Sequence, residues 1–361
     1  MNAEEKAAYL ETTQIDGFIE DSQGEVSLLD LCRLYPDDLN SVPNLVWRKP
    51  SGEIRHNERR PENNDINSTL IEIGSEFRDT VVHIRTARSC DFKCAFCSYP
   101  TIAGDLALMD LDNVIATLRQ AKEVGVKSIF FVDDTFNVPQ DRFEVLVDRI
   151  IEEDLGLPWY SFLRCQHVDE DLVKRMKKAG CAGVFLGIES GSDAVLKNMK
   201  KGSIARFYRN GVKWLREQDI VTVGAFVIGF PGETTETVKE TFEFIQNVGL
   251  DYYFIQPFYF LHHTPVYKKA KKFGLTGQGL FWAHNTMKWT EAMSHINRLF
   301  LEIDGATFVN PDYTLWEIAY LQSKGMDPDE IKNYRTLIND MTRRQMTDFG
   351  IAQGGPVTSR A

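Results

Sequence analysis

The sequence lacks a long apolar segment and an excess of basic charge. No apolar run reaches the roughly 18 residues that a membrane-spanning helix needs, and the opening residues MNAEEKAAYL carry acids where a signal peptide has a basic flank. The 41 Lys and Arg residues face 52 Asp and Glu, which gives a net charge of −11. The strongest basic run, Lys268–Lys272, is short, and we interpret it as a solvated helix face. We therefore expect a cytoplasmic protein that binds neither membranes nor nucleic acids.

Cysteine is scarce, with six in 361 residues. In a reducing compartment such cysteines act as ligands, catalytic groups or small core residues more often than as disulfides. Cys165 and Cys181 have no partner spacing, and we interpret them as packing residues. Cys90, Cys94 and Cys97, in contrast, lie within eight residues and have no fourth cysteine nearby. This triplet is the main candidate for a metal site.

From Thr80 onward, short β-branched runs alternate with helical patterns. Strands are predicted at 80–87, 127–134, 159–165, 183–190, 221–230 and 251–259, with helices near 110–124, 140–154, 169–179, 205–218 and 234–248. Repeated βαβ units build a parallel sheet with right-handed crossovers. Six such units fall short of the eight of a closed barrel. We therefore predict an α/β fold, a partial (β/α)6 TIM-like barrel with its chemistry at the carboxyl ends of the strands.

The chain divides into three predicted regions. Residues 1–78 are polar and irregular, with a helical pattern at 27–35 and a hairpin pattern at 44–56, and we interpret them as a short appendage. Residues 79–260 form the barrel. Residues 261–361 are predicted to be mainly helical.

The cysteine triplet lies in the loop that follows the first barrel strand, where a catalytic loop belongs. Thiolates select soft metals, and an iron–sulfur cubane normally takes four cysteines, so three leave one iron open to another ligand. The alternative is a structural zinc site with Cys165, Cys181 or His83 as the fourth ligand. A thioredoxin-like role for CAFC lacks the context of that fold.

The spacing C-x3-C-x2-C, with Phe96 directly before the last cysteine, resembles the signature of the radical S-adenosylmethionine (SAM) superfamily. The resemblance implies a 4Fe–4S cluster on Cys90, Cys94 and Cys97, with Phe96 near SAM. It implies that the open iron chelates the amino and carboxylate groups of SAM, and that the reduced cluster cleaves the sulfonium. The deoxyadenosyl radical then abstracts a hydrogen atom from a small-molecule substrate. A flavodoxin- or ferredoxin-type electron donor is the implied partner. No catalytic side chain is assigned.

Other strand ends carry candidate SAM contacts under the same resemblance. Asp133 and Asp134 end the second strand, where the superfamily has the motif that receives the amino group, although its usual Gly-Gly-Glu is absent. Glu189 and Ser190 end the fourth strand, where related enzymes place a Glu near the ribose hydroxyls; a helix cap or an ion pair is the alternative. Arg164 is a candidate partner of the SAM carboxylate, and a plain ion pair competes with that interpretation.

The fifth and sixth strands complete the candidate site. Residues 224–234, GAFVIGFPGET, match the region that lines the adenine, so Gly229 and Phe230 are expected SAM contacts. Substrate contacts are expected from Gln256, Tyr259 and His284, although aromatic-rich runs and their histidines are more often structural.

A narrower resemblance covers nearly the whole chain from about residue 15. Residues 16–57 look like the stretch that follows the cobalamin-binding Rossmann domain in cobalamin-dependent (class B) radical SAM methyltransferases, and most of that domain is missing here. Further segments look most like the family of the phosphinate P-methyltransferase of phosphinothricin-type antibiotic pathways: 133–143, 164–191, 198–202 and 281–287.

This narrower resemblance implies methyl transfer to an unactivated carbon or phosphinate centre of a small molecule. One SAM would methylate cobalt, a second would yield the radical, and the substrate radical would collect the methyl group. Three explanations of the missing cobalamin domain stay open. A separate chain supplies it, or the gene model starts late, or the enzyme has lost cobalamin and catalyses another hydrogen abstraction. A nonenzymatic metal-binding partner subunit is the alternative from another class.

Overall fold

The computed structural model describes residues 3–21, 23–60, 62, 65–68, 70, 72–310 and 315–349. Residues 1–2 and 350–361, which the first and third predicted regions include, lie outside this description. No helix within the described ranges combines the length and the apolar character needed to cross a membrane.

The N-terminal region holds two helices and a small antiparallel sheet. Its elements are α1 (Ala3–Thr12), β1 (Gly17–Ile19), α2 (Glu25–Leu34), β2 (Leu45–Arg48) and β3 (Ile54–His56), with 3-10 turns at Leu39–Ser41 and Ser75–Phe77. β2 lies between β1 and β3. The predicted hairpin is therefore confirmed, with Trp47 paired to Arg55 across the turn. The helical pattern at 27–35 falls on α2, which confirms that prediction as well.

The central region alternates strands and helices as predicted. Its elements are β4 (Val81–Ile84), β5 (Ala87–Arg88), α3 (Tyr99–Ala103), β6 (Ala107–Leu108), α4 (Leu111–Val124), β7 (Ser128–Phe131), α5 (Gln140–Glu153), β8 (Trp159–Leu163), α6 (Glu170–Lys178), β9 (Cys181–Glu189), α7 (Asp193–Asn198), α8 (Ala205–Glu217), β10 (Val221–Ile228), α9 (Thr235–Val248) and β11 (Tyr252–Pro257). A 3-10 turn, Cys165–His167, follows β8. All six predicted strands and all five predicted helices are present.

The C-terminal region is mainly helical in its described residues, as predicted, and it also contains short strands. Its elements are α10 (Ala270–Phe273), β12 (Thr276–Gln278), β13 (Phe281–His284), β14 (Met287–Lys288), α11 (Trp289–Glu302), β15 (Thr307–Phe308), α12 (Leu315–Ser323) and α13 (Pro328–Asp348), with a 3-10 turn at Tyr267–Lys269. Helix α11 begins at Trp289, directly after β14, which belongs to the antiparallel sheet β12-β13-β14. Strands of two to four residues are too short for periodicity to reveal.

The main sheet is an open, entirely parallel sheet of seven strands in the order β15-β11-β10-β9-β8-β7-β4. The six predicted strands are neighbours in chain order, as repeated βαβ units require. The short strand β15 extends the sheet beyond β11 and was not predicted. The chain therefore has the partial α/β barrel that its pattern predicted, with β4 and β15 as the two edges.

Alternate residues of each strand face opposite sides of the sheet. Ile129 and Phe131 of β7 face the helices α4 to α9, and their neighbour Phe130 faces the concave side. Helix α12 fills that concave side, where Trp316 lies against His83 at 3.9 Å between ring centroids and against Phe130 at 6.1 Å. Phe130 in turn contacts Phe162 at 5.8 Å. The concave side of the sheet is therefore packed against α12.

Candidate functional site

A cavity of about 250 Å³ opens at the carboxyl end of the sheet. It brings together seven sequence-predicted residues: Cys90, Cys94, Cys97, Phe96, Asp134, Arg164 and Glu189. Val132, Phe162 and Phe185, which follow or belong to β7, β8 and β9, form its apolar floor. Parallel strands end at one edge, so residues far apart in the sequence meet in this cavity.

The three cysteines face the cavity from the loop after β4 and β5. Cys94 is buried, and Cys90 and Cys97 are half-buried. Ala95, between Cys94 and Cys97, is fixed on both sides, because its N–H donates to Met199 O at 2.7 Å and its carbonyl accepts from Val266 N at 2.8 Å. Burial raises the pKa of the Cys97 thiol, and the nearby Cys94, Cys90 and Asp134 add to that effect. A bound cation would reverse this preference for the neutral thiol.

The donor set fits an iron–sulfur cubane better than a single metal ion. Within the part of the chain that the structure describes, no three His, Cys, Asp or Glu side chains converge as ligands of one ion would. Cysteine ligands of a cubane bind different irons and need no common point. None of the three candidate fourth zinc ligands, all of them described, lines the cavity.

Those three residues are placed elsewhere by the fold. Cys165 packs against α8 at Gly211, and burial raises the pKa of its thiol to about 12. Cys181 is buried at the amino end of β9, the opposite end of the sheet from the cavity. His83 lies against Trp316. The interpretation of the two cysteines as packing residues is consistent with these positions.

Arg164 is buried, and its guanidinium contacts the loop that carries the three cysteines. Nη2 donates to Cys94 Sγ at 3.2 Å, Nη1 donates to Lys201 O at 2.8 Å, and the guanidinium carbon lies 3.5 Å from the centre of the Phe92 ring. Asn137 fixes the backbone of Arg164 through hydrogen bonds of 3.0 and 2.9 Å. These contacts commit two of its donors within the protein, and its pairing with a SAM carboxylate stays a prediction.

Glu189 forms a buried ion pair with Lys201, at 2.8 Å between Oε1 and Nζ. Burial is the largest effect and lowers the pKa of Lys201, but Glu189, with smaller contributions from Tyr208 and Cys94, reverses it, so the pKa is raised overall. Glu189 also has a φ of +69°, a left-handed conformation that strains a non-glycine residue. Sequence reasoning missed Lys201, which lines the cavity. The local sequence carried no signal that separates it from the adjacent exposed Lys200.

The two adjacent aspartates have different surroundings. Asp134 lines the cavity beside Tyr99, where burial raises its pKa and Arg85 opposes the shift. Asp133 is buried outside the cavity lining and accepts hydrogen bonds from the Thr86 N–H at 2.6 Å, the Thr86 hydroxyl at 2.5 Å and the Ala87 N–H at 2.9 Å. Burial raises the pKa of Asp133 to about 6, and these hydrogen bonds limit the shift. The structure therefore places Asp133 as a brace of the loop that leads to the cysteines.

Ser190, Gly229 and Phe230 lie outside the described lining of the cavity. Ser190 Oγ contacts Thr241 Oγ1 at 3.0 Å. Gly229 has a φ of +94°, and a side chain there would collide with Trp282. Phe230 is fully buried and packs edge-on against Phe96, with 6.5 Å between ring centroids. Phe230 thus supports a residue that does line the cavity.

The three expected substrate contacts are also outside that lining. Gln256 and Tyr259 are exposed at and beyond the end of β11. His284 is buried, and its Nδ1 accepts from the Thr286 N–H at 3.3 Å, so its proton lies on Nε2, which donates to Gly229 O at 3.0 Å. Burial lowers the pKa of His284, which favours this neutral form. Its position indicates a structural role in holding the turn after β10.

Comparison with known proteins agrees with this geometry. A methyltransferase of Pyrococcus horikoshii, itself uncharacterized, is 31% identical over 225 residues, which are 60% of this chain and 49% of the relative. A putative methylthiotransferase of Methanocaldococcus jannaschii is 30% identical over 190 residues, 49% of this chain and 42% of the relative. The chain spans about half the length of the curated relatives it matches.

Two solved structures share the fold. The radical SAM methyltransferase TsrM from Kitasatospora setae, with cobalamin and a 4Fe–4S cluster bound, aligns with a TM-score of 0.58 at 18% identity over 73% of this chain and 55% of that chain. The cobalamin-dependent SAM radical enzyme OxsB, with aqua-cobalamin bound, aligns with a TM-score of 0.56 at 16% identity over 92% of this chain and 60% of that chain. At these identities the likeness establishes the fold alone.

The model of the Radical SAM superfamily matches residues 84–245, from the end of β4 into α9. The match includes the cysteine triplet and the ends of β7, β8 and β9, which together surround the cavity. For this superfamily a 4Fe–4S cluster and SAM are the implied cofactors. Residues 84–245 of this chain are thus similar to the radical SAM domain.

Proposed function

We propose that this chain is a radical SAM enzyme that reductively cleaves SAM at a 4Fe–4S cluster held by Cys90, Cys94 and Cys97. The observation that carries the proposal is the arrangement of these three thiols, which face one cavity at the carboxyl end of a partial barrel. When bound, the cluster would supply the electron that opens the sulfonium of SAM, a reaction that no side chain can drive.

The residues of the cavity have separate tasks in this proposal. Phe96, Asp134 and Glu189 line the cavity and would hold SAM, while Phe230 and Gly229 support the wall behind Phe96. Lys201 holds the Glu189 carboxylate in place through its ion pair. The aromatic floor, with Phe162 and Phe185 at 5.2 Å between centroids, would exclude water from the reacting atoms.

The proposed reaction is methyl transfer with cobalamin as the methyl carrier. The support comes from the names of similar proteins, since TsrM and OxsB bind cobalamin and the P. horikoshii relative is named a methyltransferase. We propose that the corrin is bound by this chain or by a separate cobalamin-binding chain. A flavodoxin- or ferredoxin-type protein would provide the electrons.

The substrate is proposed to be a small molecule that is methylated at an unactivated carbon. The lining of the described cavity contains two cations, Arg164 and Lys201, and both already have partners in Cys94 and Glu189. A phosphinate is an anion and would need cationic side chains that are not already paired within the protein. The apolar floor of Val132, Phe162 and Phe185 suits a carbon-rich group. A carbon centre is therefore favoured over a phosphinate.

Corrin binding tests the methyl-transfer proposal. Anaerobically reconstituted protein would be incubated with hydroxocobalamin and passed through a gel-filtration column. We expect corrin absorbance to comigrate with the iron–sulfur absorbance at one corrin per chain. Cluster absorbance without corrin, in the presence of SAM as well, would argue for a cobalamin-independent hydrogen abstraction or for cobalamin on a separate chain. Zinc without sulfide would instead indicate a metal-binding subunit that is not an enzyme.

A further inference from the structure

Three lysines form a basic patch on the outer side of the cluster loop. Lys269 and Lys272 belong to the basic run after the barrel, and Lys200 follows β9 and α7. All three are exposed. Backbone hydrogen bonds of Ala95 to Met199 O and from Val266 N bring the segment of Lys200 next to that of Lys269. In agreement, the charge of Lys200, then burial and the charge of Lys272, lower the pKa of Lys269. We call these three residues the lysine patch.

Backbone hydrogen bonds join the two segments that carry the patch to Ala95, the residue after Cys94. The Ala95 N–H donates to Met199 O at 2.7 Å, and Met199 is adjacent to Lys200. The Ala95 carbonyl accepts from Val266 N at 2.8 Å, and the Lys269 N–H donates back to Val266 O at 2.9 Å. Ala95 lies between two cysteines of the triplet. The two segments that carry the patch therefore both contact the backbone between two proposed cluster ligands.

The positive charge of the patch is not neutralised within the protein. In the part of the chain that the structure describes, none of its three lysines forms an ion pair with an acidic side chain, whereas exposed lysines on α6, α8 and α9 do. Like charges held together raise the free energy of the isolated protein. The whole chain carries a net charge of −11, so this local positive field stands out against a negative background.

We propose that the lysine patch is the docking surface for an acidic one-electron carrier protein that reduces the cluster. The inference rests on the proposed function, since it assumes a cluster that must be reduced. The negative remainder of the chain would repel an acidic carrier, and the patch would attract it to the side nearest the cysteines. Encounters of this kind use small, charge-guided interfaces.

The step at this surface is electron transfer alone. One electron leaves the reduced carrier, which is oxidised by one electron, and enters the cluster, which is reduced by one electron. No bond forms or breaks, and no proton moves. The basic run Lys268–Lys272, interpreted from the sequence as a solvated helix face, would thus contact the electron carrier.

The test compares two double variants in holoenzyme reconstituted with iron and sulfide. Lys269→Glu/Lys272→Glu reverses the patch. Lys122→Glu/Lys178→Glu makes the same charge change on exposed lysines at the ends of α4 and α6, which lead into the amino ends of β7 and β9. SAM cleavage is measured with reduced flavodoxin as the protein donor and, for each variant, with dithionite as the chemical donor.

We expect the patch variant to have a KM for flavodoxin about tenfold higher than that of the unmodified protein, with an unchanged rate of dithionite-driven cleavage. The control variant should change this KM less than about twofold. The salt dependence of the flavodoxin reaction should weaken in the patch variant alone. Calorimetry of flavodoxin binding to the holoprotein provides a readout that does not depend on turnover. We expect weaker binding in the patch variant than in the control variant.

Each outcome decides one of the two proposals. Equal flavodoxin KM and equal binding in both variants, with dithionite-driven cleavage intact, would overturn the docking surface and leave the enzyme proposal standing. Absence of SAM cleavage with dithionite in the unmodified holoprotein would overturn the proposed function. Loss of tRNA binding in the patch variant, with unchanged flavodoxin kinetics, would assign the patch to a nucleic acid and also overturn the docking proposal.

Discussion

At the scale of single residues, Arg164 links the cysteine loop to the ion pair of Glu189. Its guanidinium donates both to Cys94 Sγ and to the carbonyl of Lys201, the residue that faces Glu189. A hydrogen bond and a positive charge at a ligand sulfur favour the reduced state of an iron–sulfur cluster, because that state carries more negative charge. In the proposed holoenzyme, Arg164 would therefore position the cysteine loop and tune the cluster potential.

The substitution Arg164→Met tests this role. We expect the midpoint potential of the reconstituted cluster to fall by on the order of 50 mV, close to a tenfold change in the one-electron equilibrium. The measurement is a redox titration followed by electron paramagnetic resonance. Arg164→Lys keeps the charge but loses the planar fork, so its potential should lie between the two. An unchanged potential in Arg164→Met would show that the guanidinium has no influence on the cluster.

Glu233 gives the protein a predictable response to pH. It is fully buried, its Oε2 accepts from the Gly229 N–H, and its Oε1 has no hydrogen-bond partner among the described residues. Burial raises its pKa from 4.5 to about 8, although N–H groups of Gly229 and Phe230 oppose the shift. Between these two values the folded protein holds a proton that the unfolded chain has lost, so stability falls as pH rises.

Glu233→Gln should remove this contribution. We expect the free energy of unfolding of the unmodified protein, relative to the variant, to decline by up to about 1.4 kcal/mol per pH unit between pH 5 and pH 8. Urea unfolding at several pH values measures it. Parallel stability curves for the two proteins across this range would contradict a protonated Glu233.

At the scale of elements, Asp133 joins the ends of two neighbouring strands. It follows β7, and its three accepted hydrogen bonds come from Thr86 and Ala87, which follow β4 and precede the cysteine loop. Arg142 of α5 supports the same junction, since its Nη2 donates to Met109 O at 2.7 Å and to Thr86 O at 3.3 Å. This junction sets where the cysteine loop leaves the sheet.

Asp133→Ala should destabilise the protein by about 3–5 kcal/mol, because two buried N–H groups and a hydroxyl lose their acceptor. Iron and sulfide content after reconstitution should fall with it. Asp133→Asn is the matched control, since its amide oxygen still accepts from both N–H groups, and we expect a smaller loss. Equal stability of the Ala variant and the unmodified protein, from chemical unfolding, would refute the bracing role.

At the scale of the whole molecule, much of the barrel could be predicted from the sequence, because each βα unit has its own periodicity. The cysteine spacing likewise pointed to the cavity that Asp134, Arg164 and Glu189 share. Strands such as β14 and β15 were not predictable, since two residues have no period. Lys201 was missed because only the fold buries it beside Glu189. The sequence does not distinguish the adjacent Asp133 and Asp134, because their different burial depends on how the sheet places them.

Formation of 5′-deoxyadenosine decides whether the three cysteines assemble a cluster that cleaves SAM. Reconstituted protein would be incubated anaerobically with SAM and dithionite, and the product quantified by chromatography beside the variant Cys94→Ala. We expect deoxyadenosine from the unmodified protein with about four iron and four sulfide per chain, and neither product nor cluster from Cys94→Ala. Two results would contradict SAM cleavage at a cluster held by the three cysteines. One is deoxyadenosine formation by Cys94→Ala at the rate of the unmodified protein, and the other is no deoxyadenosine from fully loaded unmodified protein.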